Sequence, residues 1–157
     1  MTDAAVQTLV RIDAETPADA ASVEALVMAA FGPGRYAKTA ERIREQAGVA
    51  AGFVARENGR VVGAVRLWSI TVGERPALFL GPITVSADSR KGGLGGDLVQ
   101  ACIDHAGTTG ILLVGDEPYF SRFGFRHAPE ARLQGPVDQR RVLWLGADEP
   151  AGTVRAA

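Results

Sequence analysis

The chain contains a single cysteine, Cys102, among its 157 residues. That excludes an internal disulfide, and nothing in the cysteine content calls for an oxidising compartment. Histidine is almost as scarce. His105 and His127 stand apart, with no cysteine or carboxylate at metal-ligand spacing, so no metal site is expected. Charge of one sign is not in excess either: Lys+Arg 17 against Asp+Glu 18 gives a formal net charge of -1. The basic surplus of a general nucleic-acid binder is missing. No apolar run approaches the roughly 18 residues of a membrane span. The opening residues, Met-Thr-Asp-Ala-Ala, lack the basic and apolar regions of a secretion signal. Together these absences predict a cytoplasmic protein with neither a membrane nor a general nucleic-acid partner.

Apolar residues are plentiful, at 46%, enough for one domain with a substantial core. Residues 1–146 read as that domain, and 147–157 as a tail with little reason to fold. Val6 to Ile12 alternates as a first strand. Thr16-Pro17 starts a helix, with Thr16 at the cap and Pro17 at the first helical position. Val23, Leu26, Val27 and Ala30 follow at helical spacing. Gly32-Pro33-Gly34 ends that helix, and Lys38 to Gln46 forms a second. Gly52 to Arg56 and Arg60 to Val72 are strands around Asn58-Gly59, a two-residue hairpin signal of type I′. Ala77 to Val85 is a third strand of this meander. A helix with Leu94, Leu98, Val99, Cys102, Ile103 and Ala106 on one face ends near Gly107. Ile111 to Val114 is a short buried strand, Pro118 to Phe123 a short helix, and Arg141 to Leu145 a last strand. The order β-α-α-β-β-β-α-β-α-β describes an α/β domain in which an antiparallel meander feeds a βαβ unit.

The segment from Leu78 to Gly96 is the most informative. A strand ends in a polar turn, then Arg90-Lys91 precede four glycines in five positions, and a helix begins at once. Glycines at a strand-to-helix turn let backbone N–H groups converge with no Cβ in the way, and the helix N-terminus adds partial positive charge. Such a turn suits a phosphate or pyrophosphate. A Walker-type loop is excluded for want of Gly-Lys-Ser/Thr, and a dinucleotide fingerprint from Gly93 fails because Leu98 stands where its third glycine belongs.

What does fit is Arg90-Lys91-Gly92-Gly93-Leu94-Gly95, an Arg-x-x-Gly-x-Gly signature. With the preceding Ile83-Thr84-Val85 and the later Tyr119-Phe120 and Gly124-Phe125 pairs, it resembles the GNAT acyltransferase superfamily. The likeness is closest to small bacterial members and covers about residues 78–127 at motif level. It implies a mixed, mostly antiparallel central sheet flanked by helices, with splayed central strands. It also implies acetyl-CoA as co-substrate and no metal. The coenzyme pyrophosphate would lie on Arg90, Lys91, Gly92, Gly93, Leu94, Gly95 and Gly96, chiefly on their main-chain N–H groups. Ile83, Thr84 and Val85 would offer main-chain groups to the pantetheine arm, with Phe120 also on the coenzyme side. Pro82, which removes a ladder donor, is intelligible where that strand splays from Ile111–Val114.

Many members of that superfamily carry a tyrosine acid four residues before the glycine of the Gly-Phe pair. Here that position is Phe120, and Tyr119 is the nearest hydroxyl of suitable type, one residue and about 100° of helix away. Ser121 is a weaker alternative. No Asp or Glu lies in Leu78 to Val85 to relay a proton. Asp116 reads as a helix cap, Cys102 as a buried thiol. Arg35 and Tyr36 would border the acceptor site, and Arg66 and Trp68 share one strand face, which would either line the same cleft or serve a mixed surface and core role. The expected activity is direct acetyl transfer to a primary amine of a small molecule or peptide, with a homodimer left open. A coenzyme-binding protein without catalysis and an unrelated phosphate-binding α/β module are the rivals.

Overall fold

The architecture was obtained as a computed structural model and describes residues 9–32, 38–89 and 92–157. Among the described residues nine strands form one sheet: β1 (Val10–Ala14), β2 (Val49–Glu57), β3 (Arg60–Val72), β4 (Arg75–Val85), β5 (Ile111–Val114), β6 (Arg126–His127), β7 (Ala131–Arg132), β8 (Val142–Leu145) and β9 (Gly152–Ala156). Their order is β1-β2-β3-β4-β5-β8-β6, with β9 joining β3 to β7. Only β4–β5 and β7–β9 run parallel. The mixed, mostly antiparallel sheet flanked by helices is thus as expected.

Local chemistry explains the meander. Asn58 (φ 52°) and Gly59 (φ 84°) both adopt the left-handed conformation of a type I′ turn, whose twist matches the strands it joins. Among the described residues four α-helices cover the sheet: α1 (Ala20–Phe31), α2 (Thr39–Gln46), α3 (Leu94–Ala106) and α4 (Glu117–Phe120). Val23 and Val27 of α1 pack on Val54 and Ala64, and Ile43 of α2 packs with Ile70 and Phe79. Leu94, Leu98, Val99 and Cys102 of α3 meet Ala55, Val65 and Leu67 on the other face, where Phe120 of α4 also lies. The result is helix–sheet–helix layering, each face buried by the apolar stripe of its own helices. Before α1, Asp19 accepts hydrogen bonds from the Thr16 N–H (2.9 Å) and hydroxyl (3.0 Å). It also takes a bidentate pair from Arg56 (2.8 Å each). These donors hold its carboxyl well below the usual carboxylate range, the Arg56 bonds contributing most.

Some expectations need correction. The first strand runs Val10–Ala14 rather than ending at Ile12, and its expected start at Val6 lies outside the described residues, as do Pro33, Gly34, Arg35 and Tyr36. The short helix is α4 followed by a separate 3-10 turn, Ser121–Phe123. The largest difference is the tail. Instead of fraying from Ala147, the chain forms β9, pairing Val154 with Val72 and Ala156 with Ile70. The reason is an edge: β2 stops opposite Trp68, leaving the far end of β3 without a neighbour, and β9 satisfies it. Val154 is 1% exposed. Gly73 and Gly152, both at positive φ, let the two backbones touch, since a Cβ on Gly152 would lie 2.6 Å from the Gly73 Cα.

Candidate active site

Strand β4 is interrupted at its centre. Leu67 pairs with Leu80 and Val65 with Ile83, so Gly81 and Pro82 together oppose Arg66. This is a β-bulge, and it suits a residue that cannot donate to the ladder. The Trp68 indole N–H donates to the Gly81 carbonyl at 2.6 Å and fixes the bulge from the neighbouring strand. Parallel pairing between β4 and β5 covers only Leu78–Ile111 and Phe79–Leu112. Beyond it the strands diverge, and a cleft of about 590 Å³ opens between Leu80–Ile83 on one side and Leu113–Asp116 on the other.

The cleft runs through the sheet. On the α3 face it is bounded by Ile83 and Phe120, on the opposite face by Phe31 of α1 and Glu41 and Arg44 of α2. Phe120 reaches its place because residue 115 is glycine: a Cβ there would sit 2.5 Å from the Phe120 ring. Edge-to-face contacts with Tyr119 (4.9 Å) and Phe125 (5.8 Å) hold the ring. Ile83 lines the cleft, Thr84 is buried on the other face of the strand, and Val85 is exposed at its end.

In the loop between β4 and α3, Gly93 takes φ 81° at the helix cap, a conformation that favours glycine. The α3 ladder begins with the Asp97 N–H donating to the Gly93 carbonyl at 3.1 Å, so the N–H groups of Leu94, Gly95 and Gly96 precede it. Cβ atoms at Gly92 or Gly93 would meet nothing within 4 Å, which leaves the backbone open to an approaching ligand. This turn fits a phosphate group. Arg90 and Lys91 lie outside the described residues.

Tyr119 does not join the cleft. Its hydroxyl is 3.5 Å from the Cβ position of Gly95 and 3.9 Å from that of Gly96, beside the first turn of α3. The Arg122 guanidinium lies 4.5 Å from the centre of its ring. The hydroxyl expected as acid therefore faces the glycine loop, and the side chain at the cleft is Phe120. Asp116 occupies the cap position of α4 without a side-chain cap bond. Ser121 donates back to the Pro118 carbonyl (3.2 Å). Cys102 is fully buried, and burial pushes its thiol up to about 12, which removes it as a nucleophile. Among the described residues no group of three His, Cys, Asp or Glu could hold a metal. No helix among them is long and apolar enough to cross a membrane.

Arg66 and Trp68 do share a face, and they line a second, smaller cavity of about 60 Å³ against α1 and α2. It meets the cleft at Val27, Glu41, Arg44 and Pro82. The Arg66 guanidinium is committed to Glu15 through bonds of 3.0 and 2.7 Å. Sequence reasoning missed Glu41 and Arg44. The only local signal was their i, i+3 spacing on a helix, which says nothing about a cleft.

A sheet parted beside a bulge, with a glycine turn opening the next helix, defines an α/β protein built to hold an extended ligand that carries a phosphate. The chain matches the model of the Acetyltransferase (GNAT) family over residues 20–125, and it belongs to that family. It is 31% identical over 146 residues to the uncharacterized N-acetyltransferase YhbS of Escherichia coli (strain K12), across 89% of this chain and 82% of that protein. The crystal structure of YhbS from Escherichia coli in complex with CoA matches with a TM-score of 0.80 at 26% identity, covering 96% and 91% of the two chains. A GNAT family acetyltransferase from Brucella melitensis in complex with acetyl-CoA matches at 0.70 and 28%, covering 95% and 96%.

Proposed function

We propose that this protein is a cytoplasmic N-acetyltransferase that moves an acetyl group from acetyl-CoA directly to a primary amine of a small molecule or peptide. The observation that carries this reading is the continuity of the glycine turn with the parted strands. One ligand with a diphosphate and a long arm would use both. Its similarity to proteins crystallised with CoA and acetyl-CoA supports the same choice.

Bound acetyl-CoA would supply the thioester whose carbonyl carbon accepts the amine. The chain's own part is to bind and orient. The N–H groups of Leu94, Gly95 and Gly96 receive phosphate oxygens at the positive end of α3. Edge groups of β4 around Ile83 bind the arm as a strand would. Phe120, Leu80 and Leu113 exclude water from the arm's path. With a phenyl ring at the cleft and Tyr119 turned to the loop, Tyr119 does not supply the proton. The thiolate leaves with a proton from the nucleophile or from solvent. Transfer is direct because the one cysteine is buried with a raised pKa.

The test is calorimetry with acetyl-CoA, CoA and ATP, followed by thiol release across an amine panel. Selective binding of the two coenzyme forms with amine-dependent thiol release is expected. Preference for ATP would overturn the assignment. Coenzyme binding without any amine-dependent release would favour the silent binder, the reading that Phe120 in place of tyrosine speaks for.

A further inference from the structure

Chemistry at an ammonium acceptor needs a group that attracts the cation and takes a proton, and β4 carries no carboxylate between Leu78 and Val85. The fold brings one from elsewhere. Glu41, on α2, lies where the small cavity against α1 joins the main cleft, and it borders both. Its side chain is 13% exposed and holds Arg44, 14% exposed, through one oxygen, Oε2, at 3.1 Å. The Arg44 guanidinium rests 5.7 Å from the centre of the Phe79 ring. One of its nitrogens lies 2.9 Å from where a Gly81 Cβ would be. The ion pair is thereby set against the bulge itself.

The side of the sheet matters as much. Leu80 and Ile83 share the face of Val65 and Leu67, which α3 covers. Glu41 and Arg44 sit on the opposite face. A coenzyme entering from the glycine turn and an acceptor entering past Glu41 would meet at Gly81–Pro82 from opposite sides. The small cavity has the charged Glu24, Glu41, Arg44 and Arg66 on its wall, and between them Val23, Val27, Ala64, Trp68 and Pro82 give apolar surface suited to a slim alkyl stem behind the nitrogen.

We propose that Glu41 is the carboxylate that receives the acceptor's ammonium and takes its first proton, with Arg44 as its positioning residue, and that the acceptor is a cationic primary amine on an unbranched apolar stem. This rests on the acetyltransferase reading above. In the step, Glu41 accepts one proton from the ammonium, and the nitrogen bonds to the thioester carbonyl carbon. The carbon–sulfur bond breaks, and a second nitrogen proton goes to the departing thiolate. Glu41 then returns its proton to solvent, so the products are the acetamide, the free thiol and one proton.

The test compares full-length wild type, Glu41→Gln, and the double variant Glu41→Gln/Arg44→Met. Acceptors are n-butylamine, cadaverine and benzylamine, with acetyl-CoA affinity followed by calorimetry. Glu41→Gln should raise the amine KM at least tenfold and lower kcat/KM about 10²-fold, as loss of a positioned proton acceptor does, with acetyl-CoA Kd unchanged within twofold. The double variant removes both members of the Glu41–Arg44 pair together, so a purely structural role for the pair predicts recovery. Continued inactivity with intact coenzyme binding supports Glu41. Recovery to within threefold of wild type would overturn it, as would normal turnover in Glu41→Gln. If Glu41→Gln does not fold, the double variant decides the question alone. Wild type that binds acetyl-CoA but acetylates none of the three amines refutes the acceptor class. Wild type that does not bind acetyl-CoA refutes the underlying reading first.

Discussion

Replacing Gly95 by glutamate should make the protein more stable and less able to hold its coenzyme. Gly95 is the second residue of α3 and is not among the glycines at positive φ. A Cβ there would meet only the Tyr119 hydroxyl, at an ordinary 3.5 Å. Removing glycine from a helical position gains up to about 1 kcal/mol, less in the first turn. A carboxylate near the positive end of the dipole adds about 0.3–1 kcal/mol. A net gain of about 1 kcal/mol should raise Tm by about 2–4 °C in a chain of this size. The same carboxylate would stand in the path of a diphosphate. Between one charge and about two, roughly 5 Å apart, even a water-like dielectric gives about 1.7 kcal/mol of repulsion. That is more than tenfold in Kd, with further loss from displaced oxygens. Gly95→Ala is the control, gaining stability with a smaller binding loss. Thermal unfolding and calorimetry with acetyl-CoA read both quantities. A folded Gly95→Glu protein with unchanged affinity would refute the placement of phosphate at this turn.

Tyr119→Phe should leave kcat within about threefold of wild type, because the hydroxyl faces Gly95 rather than the cleft; the about 10²-fold loss typical of a missing general acid in steady-state kinetics would reverse that conclusion. Asp19→Asn should destabilise the domain at neutral pH. Since folding depresses the Asp19 pKa, its contribution is complete above the unfolded value of about 3.9 and falls away below it, so the denaturation curves of variant and wild type should converge in acid. Cys102 should resist a thiol-specific dye at pH 8 in the native protein and react fully in denaturant. Deleting residues 150–157 should expose Val154 and the β3 edge, costing about 2–3 kcal/mol and lowering Tm by about 4–12 °C in a calorimetric scan.

Legibility in the sequence followed the range of the interactions involved. The Asn58-Gly59 turn, the apolar stripe of α3 and the three buried residues of β5 are set by near neighbours, and they stand where periodicity and turn chemistry place them. The glycine turn was legible for the same reason, since its φ requirement is local. Strand β9 was not, because its single buried side chain, Val154, gains meaning only when β3 outruns β2. The two-residue strands β6 and β7 are likewise products of the sheet they join. Of the site, the bulge was hinted at by Gly81-Pro82. Glu41 and Arg44 became site residues only when α2 packed over Phe79. The direction of Tyr119 depended on which turn of α3 lay beneath it.

The inserted residue in β4 also works as a change of phase. Side chains along a strand alternate between faces, yet Leu80 and Ile83, three positions apart, both look toward α3 because Gly81 and Pro82 share one place in the ladder. Everything downstream is therefore written in the opposite parity from everything upstream. Removing Pro82 alone would leave Gly81 opposite Arg66 and Ile83 opposite Val65, a plain ladder with both faces unchanged. Flattening the bulge while keeping both residues would instead shift the phase: Ile83 would leave the α3 side of the sheet, and the Thr84 hydroxyl would be delivered into it. In this protein a one-residue deletion at the bulge is silent for the strand beyond it, whereas loss of the bulge with its residues kept turns over the end that leads into the glycine loop.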